Sequence, residues 1–327
     1  MNVLLWCSVI NHNTFMRGSV MKKELDFTEL SKLTESKARK YLEKLRWPDG
    51  KPICPHCGVE DKAYALKAKP DSDKPVREGV YKCRHCRKQF TVTVGTVFEG
   101  SRIPLNKWIM AISLMCSSKK GISAHQLHRM LNVTYRTAWF MCHRVRCAMD
   151  EGPLYEMLRG IVEADEAYIG GKGSYCQRGR STEKKAAVFT LVERNGRARS
   201  MVTERVNAAT LLSRIKENVQ ADATLMTDEY SAYRRLGLHY KHGKVTHSTG
   251  VYADGEMHVN TAEGYFALLK RGIHGTFHHV GRQHLDKYLK EFDFRWNARH
   301  ISDKERLVKA IEQTGGKRLM YKKPKQN

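Results

Sequence analysis

Acidic side chains are scarce in this chain of 327 residues: 34 Asp and Glu stand against 58 Lys and Arg, leaving a net charge of +24. A deficit of that size creates a long-range positive potential and implies a polyanionic partner. Long apolar runs are also missing. No stretch reaches the roughly 18–20 residues needed to span a bilayer, which argues against an integral membrane protein. The start of the chain lacks a basic region ahead of its short apolar run, and no small-residue cleavage site follows. Residues 1–20 therefore read as a poorly ordered extension or an over-called start, with Met21 as a more ordinary beginning. Without an export signal the expected compartment is the cytoplasm, where thiols stay reduced. What is present, 41% hydrophobic residues, is enough for a sizeable core and argues against wholesale disorder.

Nine cysteines, an odd number at scattered positions, do not form a disulfide framework. Four of them make two knuckles, Cys54-Pro55-His56-Cys57 and Cys83-Arg84-His85-Cys86, with 25 residues between them. A two-residue gap lets both thiolates of a knuckle grip one ion, and two facing knuckles complete a tetrahedral site. We expect a zinc ribbon over residues 51–100 holding one structural zinc on Cys54, Cys57, Cys83 and Cys86. Four thiolates leave no open position for catalysis. His56 and His85 read as solvated or facing nucleic acid.

Helical spacing of apolar residues predicts one helix over 27–46, closed by Trp47-Pro48-Asp49-Gly50. Phe90–Phe98 alternates β-branched residues and predicts a strand pair. A helix over 105–117 follows. Helices at 122–131 and 135–149, joined by Asn132-Val133-Thr134, read as a helix-turn-helix-like pair. Its second helix offers Arg136, Arg144 and Arg146 as candidate DNA contacts; an ordinary helical hairpin with a solvated basic face is the other reading.

From residue 159 the texture becomes α/β. Strands are predicted at 160–169, 185–193 and 199–206, with a hairpin at Asn195-Gly196, then a helix at 208–219 and a strand at 223–227. Helices cover about 260–272 and 282–299. This succession matches a ribonuclease-H-like domain. The basic run 317–325 reads as a disordered tail.

In so basic a chain the acids of the α/β region stand out. Glu163 and Asp165 share one face of the first strand and Glu166 points away. Asp228 ends the fourth strand, and Glu263 opens a helix, with 34 residues between the two. Carboxylates from two strands and a helix can converge on two divalent ions about 4 Å apart, and hard oxygen donors suit magnesium or manganese. Local spacing leaves the plainer readings open: Asp228 as a helix cap, and Asn260 with Glu263 as a capping box.

Taken in order, several segments resemble one family. They are Leu45-Arg46-Trp47-Pro48-Asp49-Gly50, Cys54-Pro55-His56-Cys57-Gly58, Tyr81-Lys82-Cys83-Arg84-His85-Cys86 running on to Gly95-Thr96-Val97-Phe98, and Asp165-Glu166-Ala167-Tyr168-Ile169-Gly170-Gly171-Lys172. Thr227-Asp228-Glu229-Tyr230, His258-Val259-Asn260-Thr261-Ala262-Glu263 and Leu269-Lys270-Arg271-Gly272 complete the set. Over residues 27–300 the chain resembles bacterial insertion-sequence transposases of the DDE superfamily, the group with an N-terminal zinc ribbon.

The resemblance implies a ribonuclease-H-like catalytic domain with a mixed sheet, with Asp165, Asp228 and Glu263 as ligands of two magnesium or manganese ions. Some members carry Asn as the third ligand, which keeps Asn260 in play, although Glu263 followed by Lys270 fits the usual pattern better. Lys270 lies two turns from Glu263 and could hold a phosphate beside the metals. Arg271 and His278, near Phe277, look like backbone contacts. The stripe Tyr288, Leu289, Phe292, Phe294 and Trp296 reads as core.

The expected organisation is an N-terminal extension and helix (1–50), the ribbon (51–100), a helical DNA-binding segment (101–155), the catalytic domain (156–300) and a C-terminal helix with basic tail (301–327). The implied activity is metal-dependent strand cleavage at element ends and transfer into target DNA, by a homo-oligomer on double-stranded DNA with no membrane partner. The competing readings are a nuclease or resolvase of the same fold, and an inactive DNA-binding remnant.

Overall fold

The structure is a computed structural model, and it describes residues 25–67, 76–152, 156–170, 185–245 and 258–320. The expectations for residues 1–20 and for the tail beyond 320 lie outside these residues. The chain divides into two compact units, one of residues 1–150 with 301–327 and one of residues 151–300.

In the first unit the single helix expected over 27–46 is two: α1 (Phe27–Ser31) and α2 (Glu35–Arg46). The reason is a second cap. Asp26 and Glu29 form a capping box for α1, and the Thr34 hydroxyl accepts the Lys37 N–H to start α2 afresh. The ribbon is a three-stranded antiparallel sheet, β1 (Ala63–Ala65), β2 (Tyr81–Cys83) and β3 (Gln89–Phe90). Trp47 packs edge-on against Tyr81 and Phe90, with ring centroids 5.3 and 6.2 Å away.

The strand pair expected over Phe90–Phe98 is not formed: strand structure ends at Phe90, and turns follow. Val94, Thr96 and Glu99 donate their N–H groups to carbonyls three residues back, and Gly95 adopts φ +72°. Threonine hydroxyls serve these turns, Thr96 Oγ1 donating to the Thr93 carbonyl at 2.6 Å. The Arg46 guanidinium takes the Val92 and Val94 carbonyls that a ladder would have used.

Three helices follow: α3 (Leu105–Ser117), α4 (Ala124–Leu131) and α5 (Tyr135–Met149). Ser123 and Thr134 cap α4 and α5 through their side chains, and Asn132 closes α4 at φ +47°. Asparagine tolerates that left-handed conformation well. The helix Asp303–Glu312 packs on α3, where Arg306 donates to the Cys116 carbonyl at 3.2 Å. The start of the basic tail is packed, against expectation. Leu319 is buried, and Lys317 donates to the Ala148 and Asp150 carbonyls.

The second unit is built on β4 (Ile161–Ile169), β5 (Ala186–Glu193), β6 (Ala198–Thr203), then α6 (Ala208–Asn218), β7 (Thr224–Thr227) and β8 (Lys241–Lys244). The sheet order is β6-β5-β4-β7-β8. The first three strands are antiparallel neighbours, while β7 runs parallel to both β4 and β8. Asn195 turns the β5–β6 hairpin at φ +57°. This mixed sheet is ribonuclease-H-like.

Alternation along β4 divides its residues between two cores. Val162 and Ala164 join Phe189 and Leu191 beneath Leu211 and Ile215 of α6. Ala167 and Ile169 join Val188 and Val192 against α7 (Asn260–Gly272) and α8 (Arg282–Asn297). Leu289, Phe292 and Phe294 of α8 are buried, with Tyr288 and Trp296 packed beside them.

Candidate active site

The two cysteine knuckles share one geometry. In each, the first cysteine's N–H bonds the carbonyl five residues on (Val59 and Lys88), and the residue after the second cysteine is left-handed: Gly58 at φ +72°, Arg87 at φ +59°. The sulfurs of Cys54 and Cys86 stand 3.5 Å apart and those of Cys57 and Cys83 3.7 Å, with all four within 4.8 Å of one another. Tetrahedral sulfurs bonded to zinc at about 2.3 Å would stand about 3.8 Å apart, so this donor set fits. His56 and His85 lie outside the set.

The acids of the second unit assemble differently. The parallel register pairs Glu163 with Met226. Continued two residues, it brings Asp165 level with Asp228, just past the end of β7. Asp165 is largely buried, and burial pushes its carboxyl up to about 6. The Glu166 N–H donates to its Oδ1 at 2.7 Å and opposes that shift, the negative charges of Asp228 and Glu263 add to it, and Lys270 opposes it. Three other side chains and one backbone N–H therefore act on one carboxyl. The acids' oxygens remain more open than the sulfurs: among the described residues, the cysteine set is the one group of three or more candidate metal ligands gathered within 4.8 Å.

Asp228 does not cap a helix. Its Oδ1 accepts the Tyr230 N–H at 3.0 Å in a tight turn, and the 3₁₀ turn that follows begins without a side-chain cap. The capping box at Asn260 is also not formed. Asn260 is the first residue of α7 rather than its cap, and Val259 at the cap position makes no side-chain bond. The cap comes from another strand. The Glu163 carboxylate, fully buried, accepts the Thr261 N–H at 2.8 Å, the Ala262 N–H at 3.0 Å and the Thr261 hydroxyl at 3.0 Å. Arg194 donates to it at 2.7 Å and, with its other end, to the His258 carbonyl at 2.8 Å. Glu263, one residue beyond these bonds, is left exposed.

On the opposite face of β4, Glu166 accepts a hydrogen bond from Tyr233. Burial, with Asp228 and Asp165 adding to it, pushes Glu166 up to about 7, against the Tyr233 bond.

Lys270 is exposed, its ammonium 6.0 Å from the Phe266 ring centroid. Arg271 and His278 are exposed as well, as is Arg136 in the first turn of α5. Arg144 and Arg146 are not available as DNA contacts, which corrects the expectation for them. They are 7% and 2% exposed. Arg144 lies over the Phe140 ring at 4.9 Å and donates to the Leu319 carbonyl at 3.2 Å. The basic face of α5 is thus confined to its N-terminal end; its C-terminal half is core all round.

Reading the sequence missed the role of Glu163, together with Arg194 and Thr261. The sequence signal was a carboxylate two residues before Asp165 on the same face; that α7 has no cap of its own shows only in the structure.

The ribonuclease-H-like sheet thus carries acids on β4 and just beyond β7, with a further acid on α7, in a chain that also holds a four-cysteine ribbon. Residues 157–297 match the ISXO2-like transposase domain, and residues 33–89 match the transposase zinc-ribbon domain. Both matches are to domains of transposases, with the zinc ribbon lying N-terminal to the transposase domain. It is similar to an uncharacterized protein in transposable element ISH50 of Halobacterium salinarum, 29% identical over 86% of this chain and 97% of that one. An uncharacterized transposase-like protein of Haemophilus influenzae is 28% identical over 34% of this chain and 90% of its own length. Among solved structures, a pre-cleavage Mos1 transpososome aligns with 59% of this chain and 74% of its own at 15% identity and a TM-score of 0.26. The Mos1 strand transfer complex aligns with 62% and 73% at 16% identity, with the same TM-score. No helix among the described residues is long and apolar enough to cross a membrane.

Proposed function

We propose that the protein binds the ends of its insertion sequence, cleaves a strand there and joins the freed 3′-hydroxyl to target DNA. Asp165, Asp228 and Glu263 would hold two magnesium or manganese ions, and Cys54, Cys57, Cys83 and Cys86 one structural zinc. The observation that carries this reading is the meeting of three elements at one carboxyl: Asp165 is level with Asp228 across parallel strands, and the charges of Glu263 and Lys270 reach it. Oxygen donors of this kind suit hard divalent ions. When bound, such ions activate a water or a 3′-hydroxyl and stabilise the departing oxygen at phosphorus.

The chain's own residues do the rest. Asp165 presents its carboxylate from an inner strand of the sheet, and Asp228 from just past the end of the neighbouring strand. Lys270 holds a phosphate of the scissile strand. Arg136, Arg271 and His278 contact the DNA backbone, which supplies affinity and register without sequence information. The ribbon and the α4–α5 pair grip the element end. Two ends must be joined together, so the working form is a homo-oligomer on double-stranded DNA, acting in the cytoplasm.

The test is to incubate purified protein with labelled element-end DNA, target plasmid and magnesium. Cleaved ends together with joined products support the proposal. Cleavage without joining would favour the nuclease or resolvase reading, and binding without either an inactive remnant.

A further inference from the structure

The three-element site depends on where α7 begins, and nothing in α7 itself fixes that point. We infer that Glu163 is a positioning residue: its buried carboxylate clamps the first turn of α7 to β4 and so sets the separation between Asp165 and Glu263. This rests on the metal-site reading proposed above.

The geometry is direct. Glu163 lies two residues before Asp165 on one strand and on the same face. Its two oxygens accept from Thr261 and Ala262, the two residues before Glu263. One side chain thus ties the backbone beside the first proposed ligand to the backbone beside the third. The clamp is charge-matched. A carboxylate suits the positive end of a helix, and Arg194 neutralises it at 2.7 Å while holding the His258 carbonyl just ahead of α7. Such a buried group is costly unless it is paired, and here it is paired on all sides. Glu263 is exposed, while Glu163, fully buried and saturated with donors, has no exposed oxygen to offer an ion. It resembles the outer partners that orient metal ligands, whose loss weakens metal binding without removing a ligand.

The test compares Glu163→Gln with Asp165→Asn in the full-length protein, by calorimetric titration with Mn2+ and by the Mn2+ dependence of element-end cleavage. Glutamine keeps the shape but loses the charge and one acceptor. With circular dichroism and DNA binding unchanged, Glu163→Gln should weaken Mn2+ binding about tenfold and regain most of its kcat at high Mn2+. Asp165→Asn should not be rescued. Wild-type Mn2+ affinity in folded Glu163→Gln overturns the clamp, as does loss of cleavage that Mn2+ cannot restore, which would make Glu163 a ligand itself. Should Asp165→Asn bind Mn2+ and cleave normally, it is the metal-site reading that fails. If Glu163→Gln does not fold, Thr261→Val decides. It removes one hydroxyl contact and no charge, and should shift Mn2+ binding in the same direction by less; an unshifted affinity there overturns the clamp.

Discussion

Tyr233 donates a hydrogen bond to Glu166 from a buried position on the face of β4 opposite Asp165. The bond favours the charged form of a carboxyl that burial pushes up to about 7. Tyr233→Phe should cost about 1–2 kcal/mol of stability and raise the Glu166 titration further, with strand cleavage largely retained. Denaturant unfolding and carboxyl titration by NMR check both halves.

The proposed ligands carry the sharpest prediction. Asp165→Ala, Asp228→Ala and Glu263→Ala should each abolish cleavage and strand transfer while leaving DNA binding intact or slightly stronger, because each removes an acid that repels phosphate in the metal-free site. Asn260→Ala should cleave normally, since Asn260 is neither a cap nor buried. A dead Asn260→Ala beside an active Glu263→Ala in the same gel assay would reassign the third ligand.

Stability should fall as pH rises without added divalent ions. Asp165 and Asp293 are pushed up to about 6 and Glu166 to about 7, all three mainly by burial. The unfolded chain therefore ionises these groups first, and their contribution is fully present near pH 4 and lost by about pH 7. Mn2+ binding needs the carboxylates, so its affinity should rise with pH across the same window. Added Mn2+ should raise Tm more at pH 7 than at pH 5. Asp293 is buried with Tyr265 and Ser200 and is not one of the proposed ligands, so its share of the decline should persist. Thermal melts from pH 4.5 to 7.5, with and without Mn2+, measure this.

DNA affinity should drop steeply with salt. Arg136→Ala and Arg271→Ala should each reduce the log–log slope by about 0.9 for duplex DNA. Arg144→Ala and Arg146→Ala should leave the slope alone and lower stability instead, because both side chains are buried. Fluorescence anisotropy at several salt concentrations separates the two groups.

The ribbon should contain about one equivalent of zinc, because metal binding in such sites is coupled to folding. Cys57→Ser or Cys83→Ser should open residues 51–100 to limited proteolysis.

Where local chemistry decided the structure, the sequence was easy to read. The α4–α5 turn is an instance: Thr134 caps, Asn132 tolerates a left-handed backbone, and both act within their own few residues. The knuckles were legible for the same reason. Reading failed where a distant partner decided. Phe90–Phe98 has strand propensity throughout, yet Arg46 claims two of its carbonyls and its threonines close turns. The strand β8, Lys-His-Gly-Lys, has no apolar alternation because it lies at the sheet edge. At the site, the acids could be picked out by their scarcity. The cap of α7 could not, because it lies on β4, about a hundred residues earlier in the chain.

Residues 301–320 fold with residues 25–150, not with the unit they directly follow. The helix Asp303–Glu312 lies on α3, and the Leu319 carbonyl satisfies Arg144. During synthesis, then, the first unit leaves the ribosome without the segment that covers its apolar helix, and stays incomplete until the whole ribonuclease-H-like unit has been made. A nascent chain that had emerged only as far as residue 300 would present a finished second unit and a first one still lacking the helix that lies on α3.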